Sequence, residues 1–296
     1  MEKIYKLDNL SVEDALIISE LAPILDIVTA KPLEGGSERK FYLETSTGKR
    51  QMIRIGSIND WGYTCIKEGD DTFAYIASAG LPVTRMLNYG LCANGTLYYQ
   101  LHTWLDGEGL HTVIPTLNSD DQYALGVKCG IVAKKLHSLP LMPNDDGKWD
   151  VWFKNDALEM IQLYENNPVK TQEMNLLIAY LKNNIDLIDD RPQTMTHGDW
   201  NSSNLILMPD GEIGIIDYGI TGSDPWCEFW GVDDSAHFCT GQIKGYFDGE
   251  PPDGYFPLLA LYIVKGVLQW DYDKKRVLEV FNNMNNLVPS WYLKDY

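Results

Sequence analysis

Three things are scarce in this chain. Cysteines number five in 296 residues (Cys65, Cys92, Cys129, Cys227 and Cys239), dispersed and without a Cys-x-x-Cys pair. This argues against a zinc site or a disulfide scaffold and implies the reduced thiols of a cytoplasmic protein. No run of about 18 uncharged apolar residues occurs, so no membrane-spanning helix is expected. The opening Met1-Glu2-Lys3-Ile4 lacks the apolar core of a secretory signal. Basic residues are also few: 24 Lys and Arg stand against 42 Asp and Glu, a formal net charge of −18. That disfavours nucleic acid or an anionic membrane as partner and favours a cationic one. There is no internal repeat or low-complexity linker. A hydrophobic content of 45% over this length is enough for a sizeable core, in one large domain or two lobes.

The informative stretch is His197-Gly198-Asp199-Trp200-Asn201-Ser202-Ser203-Asn204, followed thirteen residues after its last Asn by Asp217 in Ile215-Ile216-Asp217-Tyr218-Gly219. Between them, two apolar runs flank Pro209-Asp210-Gly211-Glu212, which reads as a β-hairpin. A two-residue turn at Asp210-Gly211 would pair Met208 with Ile213 and set Asn204 opposite Asp217. Two oxygen ligands, Asn204 and Asp217, would then meet at the open end of the hairpin, as Mg²⁺ requires. Asp199, outside the hairpin, is left to accept a proton from an attacking hydroxyl or to orient it.

These residues resemble the catalytic and metal motifs of the aminoglycoside phosphotransferase family, small-molecule kinases of protein-kinase-like fold. The resemblance runs from about Lys31 to the C-terminus and is strongest over residues 196–229. It implies an α+β, two-lobed fold: an N-lobe antiparallel sheet with one main helix over residues 1–106, a hinge near 102–106, and a larger helical C-lobe over 107–296. It implies Asp199 as catalytic base, Asn204 and Asp217 as Mg²⁺ ligands, and His197 as a structural support of the loop. ATP or GTP would be the phosphate donor. The acceptor would be a small-molecule hydroxyl, best fitted by a cationic aminoglycoside antibiotic and hence by a resistance enzyme, acting as a monomer without nucleic acid or membrane. Choline, a macrolide, a sugar or an amino-sugar metabolite are alternative acceptors, and a non-catalytic nucleotide-binding pseudokinase is a reading of another class. A protein kinase fits less well, because no Ala-Pro-Glu segment follows.

The remaining segments can be placed on this framework. Ser11 is a helix N-cap with Asp14 three positions on, and residues 15–25 continue with helical spacing. Strands are expected at 27–33, 40–44 and 51–55. Gly35, Gly36 and Ser37 lie between the first two, where a bare backbone can approach phosphate oxygens. The third carries Arg54 where the kinase pattern has Lys. Arg keeps the charge and adds a bidentate grip on phosphate, but the two are not interchangeable. A helix over 63–79 carries Glu68, the expected partner of Arg54, with Asp70 and Asp71 as alternatives. Residues 97–105 resemble the last N-lobe strand and hinge, with purine contacts near Thr103 and Leu105 and His102 turned inward. Helices follow at 121–138, where His137 reads as structural, and over 149–187. Asp224 in Gly222-Ser223-Asp224-Pro225-Trp226 reads as a loop and cap organiser. Glu228, Asp233, Asp234, Asp271 and Asp273, interleaved with Trp226, Trp230, Trp270 and Trp291, fit either an amino-sugar pocket or a solvated face over a Trp-rich core.

Overall fold

The structure, a computed structural model, describes residues 6–34, 38–68, 72–142, 145–217, 222–230, 235–270, 289 and 291–296. The chain divides into two compact units, Met1–Asp106 and Gly107–Tyr296.

The first unit is a six-stranded sheet in the order β1-β2-β3-β4-β6-β5, built from β1 (Lys6–Leu7), β2 (Ile27–Leu33), β3 (Arg39–Thr45), β4 (Arg50–Ser57), β5 (Met86–Cys92) and β6 (Leu97–Thr103). All neighbours run antiparallel except β1, which lies parallel to β2. Helix α1 (Val12–Leu25) starts where expected, with the Ser11 hydroxyl accepting the Asp14 N–H at 3.1 Å. Ile17, Ile18, Leu21, Ala22 and Leu25 of α1 pack with Ile27, Phe41, Leu43, Ile53, Ile55 and Leu101 of the sheet. Burial in β4 alternates, with Gln51, Ile53 and Ile55 buried and the residues between them half-buried. Period-2 patterning therefore turns Arg54 to the face away from α1. Two helices, α2 (Trp61–Glu68) and α3 (Thr72–Ser78), occupy the span read as one helix, and residues 69–71 lie outside the described residues. Strand β5 has no alternating burial, and no strand was expected there.

The second unit is mainly helical: α4 (Leu110–Val113), α5 (Ser119–His137), α6 (Trp149–Asn166), α7 (Gln172–Asn184), α8 (Ala236–Phe247) and α9 (Tyr255–Trp270). Short strands β7 (Glu108–Gly109), β9 (Leu205–Leu207) and β10 (Ile213–Ile215) form one small sheet, and β8 (Thr194–Met195) and β11 (Gly222–Ser223) another. Helices α5 and α8 meet through glycine. A Cβ on Gly130 would lie 2.0 Å from the Gln242 carbonyl oxygen, and one on Gly241 would lie 2.2 Å from that of Tyr123. Gly126 and Gly245 make equivalent approaches, so the two backbones touch where any side chain would hold them apart. Among the described residues no helix is long and apolar enough to cross a membrane.

Candidate active site

Strand β8 delivers the chain into the His197–Asn204 loop, and β9 and β10 carry it on to Asp217. The hairpin is present, with one correction. Ile213 pairs with Leu207 and Ile215 with Leu205, while Met208 N–H donates to the Glu212 carbonyl at 2.9 Å. The loop is therefore three residues, Pro209-Asp210-Gly211, with Gly211 in left-handed backbone at φ +83°. A type I turn followed by a left-handed residue is the usual three-residue hairpin, and it shifts the register by one from the two-residue reading. Asn204 consequently faces Ile216, whose N–H donates to the Asn204 carbonyl at 3.0 Å, and not Asp217. In a continuing strand this slip would send Asn204 and Asp217 to opposite faces. The pleat ends there instead, because Asp217 adopts φ +54°, a conformation that Asp tolerates better than most residues.

The loop holds Asp199 by amides. Asn204 Nδ2 donates to Asp199 Oδ2 at 2.8 Å and to the Asp199 carbonyl at 2.8 Å. Asn201 Nδ2 donates to Asp199 Oδ1 at 2.9 Å, while its own Oδ1 accepts the Ser203 N–H at 2.9 Å and caps the single 3₁₀ turn Ser202–Asn204. Both carboxylate oxygens of an exposed residue are thus fixed in direction, and each keeps lone-pair capacity for a further partner. The nitrogen of Asn204 is spent on Asp199, which leaves its Oδ1, a hard oxygen, for a cation. Asn201 was not anticipated as a site residue; only its position two residues after Asp199 could have signalled it.

Beneath the loop the contacts are buried. His197 is fully buried; its Nδ1 accepts the Asp199 N–H at 3.2 Å and its Nε2 lies 2.9 Å from the Ile216 carbonyl, so the ring proton is assigned to Nε2. This one ring ties the backbone of Asp199 to the residue before Asp217, which is the supporting role expected of it. Glu228, 3% exposed, accepts the N–H groups of His197 at 2.5 Å and Gly198 at 2.8 Å, one on each oxygen. His137 stands 3.6 Å from Glu228 Oε2 and turns its Nδ1 to the Tyr246 hydroxyl at 3.1 Å. Burial pushes the Glu228 carboxyl up, but the nearby His137 ring and the His197 N–H outweigh it and hold the group below its ordinary 4.5. The Glu228 anion therefore stabilises the fold fully above about pH 4.5, and this contribution is lost as pH falls through the lower folded value. Glu228→Gln is expected to cost roughly 1–3 kcal/mol, because an amide nitrogen must face one of two backbone donors. The unfolding midpoints of variant and wild type should differ constantly above pH 5 and converge in acid; a constant gap at all pH would refute this.

Asp224 organises the next loop. Fully buried, it takes Arg191 bidentately at 2.5 and 2.9 Å, the Tyr262 hydroxyl at 2.6 Å and the Trp226 N–H at 2.9 Å. Arg191 stacks 3.7 Å over Trp226, which also packs edge-on against Phe247 and Tyr255. Trp226 and Glu228 thus serve the packing of the second unit and the support of the loop. Asp233, Asp234, Asp271 and Asp273 lie outside the described residues, as do the side chains of Trp230 and Trp270.

In the first unit, Gly35, Gly36 and Ser37 fall outside the described residues, and so do Asp70, Asp71 and the Glu68 side chain at the end of α2. Arg54 pairs with Glu38 at 3.3 Å. Thr103 donates its N–H to the Arg85 carbonyl and accepts the Arg85 N–H on Oγ1, both at 2.9 Å, so its amide is used within the unit. Leu105 is half-buried, and His102 is buried with Nε2 2.9 Å from Gln100 Oε1. Among the described residues no three His, Cys, Asp or Glu side chains gather as a metal cluster.

Comparisons with known proteins bear on the family and the fold. The profile of the phosphotransferase enzyme family matches residues 29–253. No curated protein matches the sequence. Many solved structures share the fold. ADP-bound aminoglycoside phosphotransferase APH(2'')-Ib superposes with a TM-score of 0.64 at 16% identity, covering 95% of this chain and 99% of that one. The GDP complex of aminoglycoside 2'-phosphotransferase-IIIa gives 0.66 at 14%, over 93% and 97%. APH(3'')-Id from Streptomyces rimosus, in complex with ADP and streptomycin, gives 0.58 at 16%, over 88% and 100%. The architecture is the α+β protein-kinase-like fold.

Proposed function

Because the chain belongs to the phosphotransferase enzyme family, we propose that it transfers the γ-phosphate of a nucleoside triphosphate to a hydroxyl of a small molecule, with an aminoglycoside-type antibiotic as the acceptor. The observation that carries this is the Asp199 carboxylate, exposed yet held on both oxygens by the amides of Asn201 and Asn204. An acceptor hydroxyl donating to a fixed carboxylate is aligned for in-line attack, and its proton has a defined destination. Asn204 Oδ1 and Asp217 are the residues that would hold Mg²⁺, a donor set of hard oxygens suited to an ion that takes one or two carboxylates plus substrate phosphates. Such an ion, when bound, neutralises charge developing on the phosphates. Arg54 supplies a further positive charge toward the phosphates, and Thr103 and Leu105 would face the purine. The ADP- and GDP-bound structural relatives support a nucleotide donor, and the net charge of −18 supports a cationic acceptor.

The test is release of nucleoside diphosphate from ATP and from GTP, with Mg²⁺ or with EDTA, across aminoglycosides, macrolides, choline and amino sugars. Mg²⁺-dependent release with an aminoglycoside, and resistance in a susceptible host, is the expected result. Release only with another alcohol would replace the acceptor and keep the chemistry. Nucleotide binding without turnover on any hydroxyl would overturn it.

A further inference from the structure

Arg54 on β4 is gripped by Glu38, the residue before β3, and the grip has a built-in support. Arg54 and Gly56 share the sheet face away from α1, and Gly56 pairs across the ladder with Tyr98 of β6. The Tyr98 side chain, 1% exposed, lies across that face and donates its hydroxyl to Glu38 Oε1 at 2.8 Å. The other oxygen, Glu38 Oε2, takes Arg54 at 3.3 Å. Both oxygens of Glu38 are therefore assigned, one to a hydroxyl that orients it and one to the cation it faces. The space for this is cut by glycine. A Cβ on Gly56 would stand 2.7 Å from the Tyr98 ring, and one on Gly62 of α2 would stand 2.6 Å from its hydroxyl oxygen. Tyr63 packs against the same ring, with centroids 5.6 Å apart. Burial, and then the bond to Glu38, push the Tyr98 phenol above its ordinary range, so it remains a donor.

We infer that Glu38, oriented by Tyr98, is a residue that positions Arg54 for the nucleotide phosphates in this protein. The inference rests on the phosphotransfer reading above, and it makes Glu38 and Tyr98 positioning residues that act through Arg54. An Arg needs more than charge at such a place. Its planar fork must be turned correctly to meet phosphate with two bonds, and an ion pair fixed on its far side sets that plane. Contacts of this kind hold the bound nucleotide and the transition state alike, so their loss appears in KM for the nucleotide and little in kcat.

The experiment is steady-state kinetics with ATP or GTP as the varied substrate, on wild type, Glu38→Gln, Tyr98→Phe, Arg54→Ala and the double variants, with folding checked by circular dichroism. Glu38→Gln should raise nucleotide KM about tenfold and Tyr98→Phe about threefold, while KM for the acceptor stays within about twofold. Combined with Arg54→Ala, neither change should raise nucleotide KM further, because both act through the same side chain. Tyr98→Phe keeps the ring in its glycine slot, so it reads the hydroxyl even where Glu38→Gln folds poorly. Turnover with unchanged nucleotide KM in both single variants, or the same added loss in the Arg54→Ala background, overturns the inference alone. A lower nucleotide KM in Glu38→Gln overturns it too, since Glu38 would then compete with phosphate. A wild-type chain that binds no nucleotide overturns the phosphotransfer reading and this inference with it.

Discussion

Asp199→Asn is expected to lower turnover by about 10²–10⁴-fold, the usual loss for a positioned general base, while nucleotide affinity stays within about twofold of wild type. The separation follows from where the carboxylate sits. Its oxygens are tied to Asn201 and Asn204, within its own loop. Removing its charge therefore takes away the proposed acceptor of the hydroxyl proton and leaves the expected phosphate contacts in place. The substitution also places an amide NH₂ opposite one of two donors. The loop is exposed at this point, so water can repair the mismatch and the cost should stay near 1 kcal/mol or below. Nucleoside diphosphate release measures turnover, titration calorimetry measures affinity, and thermal unfolding confirms the fold. Wild-type turnover in Asp199→Asn would remove Asp199 from the chemistry. A parallel loss of nucleotide affinity would move it to the nucleotide side.

Much of this was legible because the signals are local. Ser11 caps α1 by reaching three residues along the chain, and period-2 burial set the strands around Arg54 close to their observed limits. The hairpin was legible as a hairpin but not in register. Asp-Gly suits a two-residue turn and also the last two positions of a three-residue one, and the difference is a single residue that decides which partner Asn204 faces. What stayed hidden acts across distance. Glu228 serves backbone donors 30 and 31 residues earlier, and a carboxylate that binds N–H groups leaves no partner letter in the sequence. Glu38 escaped for a different reason. The resemblance pointed to a helix Glu as partner of Arg54, while the support of Glu38 comes from Tyr98, 60 residues on, and from the absence of side chains at Gly56 and Gly62. The paired Gly-x-x-x-Gly spacings of α5 and α8 were visible as letters, but only their mutual contact gives them meaning.

That contact supports the second large effect. Gly130→Ala is expected to destabilise the second unit by about 3 kcal/mol, the upper end of the overpacking range, and to lower its melting temperature by roughly 6–12 °C. On an isolated helix the same change would be favourable by about 1 kcal/mol, since Gly is the poorer helix former. Here the new methyl meets the Gln242 carbonyl oxygen at 2.0 Å and the Tyr246 nitrogen at 2.6 Å. Those are backbone atoms of α8, fixed by their own helix, so no rotamer change relieves the clash and the helices must part. Separation would be felt at the loop as well. His137 ends α5 and Tyr246 lies on α8, their side chains meet at 3.1 Å, and His137 faces the carboxylate that holds the N–H groups of His197 and Gly198. Turnover should therefore fall together with stability, even though Gly130 is remote in sequence from Asp199. Ile131, the next residue on α5 and 54% exposed, provides the control: Ile131→Ala should change stability by less than about 0.5 kcal/mol. Differential scanning calorimetry of the two variants decides the matter, and a Gly130→Ala melting temperature within about 1 °C of wild type would show that α5 and α8 do not pack backbone to backbone.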